Sequence, residues 1–373
     1  MNCRTAEITN KTRPETLAFL REFNNTSARL RVPLAGSLDL THRCNLNCVH
    51  CYLGDSSVRN SSVRPEMESS RIFSVIDEIT EAGCLYFLIT GGEPLVRPDF
   101  PDIYQRAKMN GLLVTVFTNA TIISDSIAEL FTELPPRLVE ISLYGATAET
   151  YEKITRVPGS YEKCLEGIRR LIAKGIRVRL KTILMTINRH EFIAIEKIAN
   201  AFGVEFRFDA AIFPCSNGDK SPVGLRVRPD EAVEKEFNDS ARARQWEEFF
   251  NKSGRFQLSE RLYDCGAGIT GFHIDPYGNL KPCLMSGRVA SNLLSSSFAE
   301  GWCAVSDVME SNKAGRLPGC RECEKRHLCG YCPAFFELEN GAEDICSEYL
   351  CAIGSQRLSR IRNTVLPEVG YAG

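Results

Sequence analysis

Apolar and polar positions along the chain fall into an alternating series. Short apolar runs at 37–40, 86–89, 113–117, 139–143, 177–182 and 205–208 are of strand length. Runs of that kind read as strands buried in a parallel sheet. Between them, 68–82, 100–109, 125–133, 161–174 and 190–201 place apolar residues at helical spacing. Six strand-then-helix units in succession predict a parallel sheet with right-handed crossovers. The count fits a partial (β/α)6 TIM-type barrel better than a closed eight-unit one, so the fold class is α/β. In such a barrel the chemistry gathers at the C-terminal ends of the strands.

The alternation also divides the chain. Residues 1–35 form a polar N-terminal extension with a short helix around 15–23, and residues 36–212 hold the barrel. Residues 213–262 carry Pro and Gly signals and then a charged helical stretch, which reads as a connector. Residues 263–373 combine many cysteines with short apolar runs and turn residues. A small domain of that composition needs metal to hold it together.

Charge narrows the partners. With 45 basic against 47 acidic residues and a formal net charge of −2, the chain has no global attraction to nucleic acid or an acidic membrane face. Arg169-Arg170 and the basic stretch 357–362 read as solvated helix faces. The N-terminus lacks the apolar core of a signal peptide, and no segment approaches the ~20 apolar residues of a membrane span. The expected location is therefore cytoplasmic. The cytosol keeps thiols reduced, so clustered cysteines among the 16 present read as metal ligands.

They form two groups. The first, Cys44, Cys48 and Cys51, is a CxxxCxxC loop directly after the first strand. Three thiolates on so short a loop can cap one face of a [4Fe–4S] cube, whereas structural zinc takes four protein ligands. At the end of the second strand stands Thr90-Gly91-Gly92-Glu93-Pro94, whose glycines allow close backbone approach. Loop and strand end together resemble the radical S-adenosylmethionine (SAM) superfamily, down to the aromatic His50 before the last cysteine. The resemblance implies a cluster with one iron free to chelate SAM, which one electron cleaves to a 5′-deoxyadenosyl radical. It also implies cofactor contacts from Gly91, Gly92, Glu93, Pro94 and His50. Asn119 and Ser142, at later strand ends, are expected at the SAM ribose and carboxylate, and Arg156 is a candidate bidentate partner of the carboxylate. No catalytic side chain is singled out.

The second group runs from Cys265 through Cys283, Cys320, Cys323, Cys329 and Cys332 to Cys346 and Cys351. The turn at 275–279 reads as a hairpin that brings Cys265 and Cys283 together. This half resembles the SPASM extension of peptide-modifying radical SAM enzymes and implies one or two auxiliary [4Fe–4S] clusters. Cys265, Cys283 and Cys332 would serve one. Cys320, Cys323, Cys329 and a late cysteine would serve the other, with Cys351 preferred to Cys346. The chain departs from the pattern in a shortened Cys329–Cys332 spacing and in having no clear fourth ligand for the first auxiliary site. That site is left with an open iron or with Cys215. A pair of zinc knuckles is the structural alternative. Cys3, Cys84, Cys164 and Cys303 stand alone and read as non-ligands.

The resemblance names chemistry better than substrate. It implies oxidative modification of a ribosomally synthesised peptide by crosslinking, thioether formation or epimerisation. Tetrapyrrole or haem side-chain modification is the alternative, and a non-catalytic iron–sulfur electron carrier is an alternative of another class. The Gly91–Pro94 motif argues against the carrier. Sulfatase maturation is disfavoured because Leu284 stands where those enzymes place an Asp. An electron donor such as flavodoxin or ferredoxin is implied. The 35-residue extension is too short for a peptide-recognition domain, which points to a separate recognition protein.

Overall fold

In the computed structural model the protein is described over residues 14–253, 261–311 and 318–365; Cys3 lies outside these. After helix α1 (Pro14–Arg29), six strands follow: β1 (Ala35–Asp39), β2 (Tyr86–Thr90), β3 (Leu113–Thr118), β4 (Leu138–Ser142), β5 (Val178–Ile183) and β6 (Glu205–Asp209). Each pairs in parallel with its sequence neighbour. The crossovers are α2 (Ser56–Asn60) with α3 (Ser69–Glu81), then α4 (Phe100–Met109), α5 (Asp125–Glu133), α6 (Ala148–Thr155) with α7 (Ser160–Ala173), and α8 (Phe192–Ala201). The partial barrel is as the alternation predicts. Two helices it does not predict, α2 and α6, are too short to show a helical period.

Strand residues alternate between two environments, as the pleat requires. Phe87, Ile89, Val114, Val116, Val139, Ile141 and Leu180 pack under Ile72, Ile76, Tyr104, Phe131, Ile168 and Leu171 of the helices, all at or near zero exposure. The intervening residues line the barrel interior. At roughly 25 cal/mol per Å² of apolar area removed from water, that outer layer is the main source of stability.

The C-terminal half contributes strands as well. β7 (Gly271–Ile274) pairs in parallel with the free edge of β1, and β8 (Asn279–Lys281) and β9 (Ser291–Asn292) continue antiparallel. The result is a nine-stranded sheet in the order β6-β5-β4-β3-β2-β1-β7-β8-β9. The 275–279 hairpin forms as expected, but its fusion to the barrel edge comes from a pairing between distant segments. Phe272 lies against Gly36, where an added Cβ would sit 2.2 Å from its Cζ, and it packs on Phe298 and Trp302. Helices α9 (Pro229–Phe237) and α10 (Ser240–Ser253) lead into this half. α11 (Phe298–Ser311), α12 (Pro318–Arg321), α13 (Pro333–Asn340) and α14 (Glu348–Val365) complete it. Among the described residues no helix is long and apolar enough to cross a membrane.

Candidate functional site

The loop carrying Cys44, Cys48 and Cys51 leaves the end of β1 and is tied on three sides. α6 ends at Arg156, whose left-handed backbone (φ 58°) stops the helix and leaves its last carbonyls free. Two of them accept from the loop: Asn47 N–H to Thr155 O and Val49 N–H to Ile154 O, both at 3.0 Å. Arg156 itself is exposed and is not among the residues lining the central cavity.

α2 supplies the second tie. Asn60 accepts from Cys44 N–H at 3.0 Å and donates to Cys44 O at 2.9 Å. Arg59 donates to His42 O and Gly54 O, and its Nη2 lies 3.6 Å from Cys51 Sγ. Its buried Nε has no hydrogen-bond partner among the described residues. A guanidinium so placed holds the loop and sets a positive charge beside the three sulfurs. The sequence gives little notice of it, because Arg59 lies in a five-residue helix among polar neighbours.

The third tie is the glycine pair. Gly91 has φ +127°, and a Cβ there would meet Thr41 O at 2.3 Å. A Cβ on Gly92 would meet Arg43 O at 2.2 Å. The gap is closed by Gly92 N–H to Thr41 O (2.8 Å) and Glu93 N–H to Arg43 O (2.9 Å). One consequence of Gly-Gly is thus close approach of β2's end to the cysteine loop.

Glu93 is fully buried and turns away from the cavity. Its carboxylate accepts from Thr118 Oγ1 (2.7 Å), Asn119 N–H (2.7 Å) and Leu95 N–H (3.2 Å), joining the ends of β2 and β3. Burial raises its pKa to about 7 against those three bonds, which favour the charged form. Pro94 is buried behind it, opening a single 3₁₀ turn.

One cavity of about 340 Å³ joins the remaining residues. Cys44, Cys48, Cys51 and His50 form its roof, with Arg59 of α2 beside them and Gly91, Gly92, Asn119 and Ser142 at the strand ends. Phe213 and Leu284 carry the lining toward the C-terminal half. Asn119 Nδ2 approaches Cys44 Sγ at 3.9 Å and donates to Asn45 Oδ1 at 2.9 Å. His50 sits edge-on to Tyr144 at 4.5 Å, and burial pulls its pKa down to about 4, so its ring is neutral. Burial also pushes the Cys44 thiol up to about 12, with Glu93 adding to the effect and Arg59 opposing it. Thiols so placed lose their protons on binding metal.

The donor set fits an iron–sulfur group. Three thiols face one space, a cation stands beside them, and the site stays open on the cavity side. Among the described residues no three Cys, His, Asp or Glu side chains converge as a lone ion would require. Zinc would draw sulfur ligands to about 2.3 Å from a single point.

The C-terminal cysteines gather in two places. Cys320, Cys323, Cys329, Cys346 and Cys351 all line one small apolar cavity with Tyr331, Phe336 and Leu350. Both late cysteines therefore reach the same site, one more thiol than a cube takes. Cys265 and Cys332 each raise the Cys283 thiol, which burial already pushes up to about 11, so these three are neighbours. Cys215 lies elsewhere, donating to Cys51 O at 3.3 Å beneath the first loop. Cys84 and Cys164 are buried in the core and Cys303 is exposed.

A partial barrel with this loop after β1 and the glycine pair after β2 defines a class of enzyme. Residues 38–201 match the Radical SAM superfamily. The chain carries a radical SAM domain and is a radical SAM enzyme, which implies a [4Fe–4S] cluster and SAM. It is 26% identical over 330 residues to an AdoMet-dependent heme synthase of Methanosarcina barkeri, covering 82% of this chain and 93% of that one. To the mycofactocin maturase MftC of Mycobacterium tuberculosis it is 28% identical over 316 residues, covering 82% and 79%. The crystal structure of Streptococcus suis SuiB bound to precursor peptide SuiA superposes with a TM-score of 0.69 at 16% identity, covering 94% and 84%. That likeness shows the fold, the C-terminal half included.

Proposed function

We propose that the enzyme matures a ribosomally synthesised peptide. Cys44, Cys48 and Cys51 would hold the cluster, whose one electron would be spent on breaking the sulfur–carbon bond of SAM to give methionine and a 5′-deoxyadenosyl radical. The observation that carries the reading is the single cavity in which this roof, the strand-end polar groups and Phe213 and Leu284 of the later chain all meet. A substrate segment reaching in from the C-terminal half would lie under the roof, and the similarity to MftC supports a peptide in that place. Within the cavity the protein's own contribution is placement. Asn119 and Ser142 offer polar contacts at the strand ends, Gly91 and Gly92 fix the loop, and Leu88, Phe117 and Ile183 exclude water. The C-terminal cysteines hold one or two auxiliary clusters.

The test is anaerobic turnover of the reconstituted enzyme with SAM, a reductant and each short peptide that the neighbouring genes are found to encode. Formation of 5′-deoxyadenosine together with a mass change in the peptide is the expected result. SAM cleavage with an unchanged peptide overturns the reading. The heme synthase similarity, over 93% of that relative, favours a second reading in which the substrate is a tetrapyrrole side chain. A porphyrin carboxylate in place of the peptide tests it in the same assay.

A further inference from the structure

The inner face of β4, β5 and β6 carries charge that the reading above does not use. Glu140, 2% exposed, accepts from Arg207 through Nε at 2.9 Å and again through Nη2. Lys181 Nζ stands 3.3 Å from the same carboxylate and Arg179 Nη1 3.6 Å from it. Arg179 is also held by Glu205, through Nε at 2.8 Å. Asp209, on the cavity wall, accepts the Ala211 N–H at 2.8 Å.

Arg177 pairs with Glu205 at 3.1 Å in solvent, outside the cavity. The member that faces the cavity with donors to spare is Lys181. Its ammonium lies 3.5 Å over the Phe117 ring, and its side chain is 20% exposed, into the cavity it lines beside Arg207. A cation over an aromatic face gains attraction but no hydrogen-bond acceptor. Burying charge is costly unless it is paired and hydrogen-bonded, and burial lowers the lysine's pKa to about 8 in spite of Glu140.

We propose that Lys181, backed by Arg207, binds a carboxylate of the peptide substrate, either an acidic side chain or the C-terminal group. A carboxylate there would accept the ammonium protons that Glu140 leaves without an acceptor. The aromatic and aliphatic residues around it, Leu88, Phe117, Ile183 and Phe213, would accept the adjoining apolar part. The subsite thus selects a position next to an acidic group for presentation to the roof. This rests on the cavity being the substrate site.

The test uses the reconstituted holoenzyme and small probes, N-acetylphenylalanine and its amide, with binding measured by calorimetry. The acid is expected to bind about tenfold more tightly than the amide, a difference of one decade in Kd. Lys181→Met should erase the preference and Lys181→Arg should keep it. Equal binding of acid and amide to the parent enzyme overturns the proposal without any variant. So does a preference that survives Lys181→Met. Loss of SAM affinity in Lys181→Met with the probe preference intact would assign Lys181 to SAM instead. Displacement of the acid probe by a porphyrin carboxylate and not by acidic peptides overturns the peptide source. Probe binding does not depend on turnover. A Lys181-dependent preference without peptide modification therefore defeats only the maturation reading, while modification indifferent to peptide carboxylates defeats only this one.

Discussion

Around Cys44, Cys48 and Cys51 the protein supplies its own scaffolding: helix-end carbonyls from α6, side-chain clamps from α2 and a glycine pair from β2. Around Cys320, Cys323, Cys329, Cys346 and Cys351 the support is of another kind, side chains reaching in from other segments. α12 has four residues and α13 eight, and the loop between them is tied by Arg326 to Asp264, Tyr331 O–H to Leu262 O at 2.9 Å, Lys325 Nζ to Ser355 Oγ at 2.7 Å and Arg357 Nη1 to Leu328 O at 2.6 Å. The first site is shaped by the fold before any metal arrives. The second sits on a loop with little regular backbone structure, so metal would add to its shape as well as its chemistry.

The largest test of this contrast exchanges the cysteines. Replacing Cys44, Cys48 and Cys51 together by Ala should remove about four irons and all SAM cleavage while leaving far-UV ellipticity unchanged. Replacing Cys320, Cys323 and Cys329 should remove a similar amount of iron and lower ellipticity and Tm as well, because little regular secondary structure holds that loop. Equal structural loss from both triples would erase the distinction. A folded second triple that still converted substrate normally would reduce that site to a staple.

Gly92→Ala is the next smaller test. Its Cβ would meet backbone, Arg43 O, which cannot rotate away. Overpacking of that kind costs about 1–3 kcal/mol. The expected result is a lower Tm and a lower iron content at the first site, with the C-terminal iron retained. An alanine variant that loads and cleaves SAM as the parent does would show that the loop is not braced by β2.

Glu93→Gln is the finest. Gln at this position turns an amide N–H₂ toward a donor, either Asn119 N–H or the Thr118 hydroxyl and Leu95 N–H, and loss of such a bond costs about 1–3 kcal/mol. The carboxyl's folded pKa of about 7 lies above its ordinary 4.5. Its contribution is therefore fully present below pH ~4.5 and lost as pH rises through about 7. The stability advantage of the parent over the variant should narrow across that window, read as converging Tm values. A pH-independent difference would mean that Glu93 is ionised throughout.

Much of the fold was legible in the sequence because each barrel unit is local: an apolar strand, a turn and an amphipathic helix. The cysteine loop and glycine pair were legible as spacing. Two kinds of feature were not. α2 is too short for periodicity, so Arg59 and Asn60 gave no signal above that of a polar loop. Lys181 and Arg207 were passed over because 177–182 and 205–208 read as buried runs. Yet Arg177, Arg179 and Lys181 alternate with apolar residues, as do Glu205, Arg207 and Asp209. That period of two marks strands with one polar face, which in a barrel is the inner one.

The pairing of β1 with β7 has a consequence for how the chain is made. Ser37 reaches across to His273, 236 residues later, and β1 lies between β2 and β7 in the sheet. During synthesis from the N-terminus, β1 can find β2 early, but its other edge stays unpaired until most of the chain has emerged. An unpaired edge is a template for association with other chains. A fragment ending before residue 271 would carry that edge permanently, along with an uncovered Gly36. The barrel is thus the first part begun and among the last completed, and expressing it alone invites aggregation at β1.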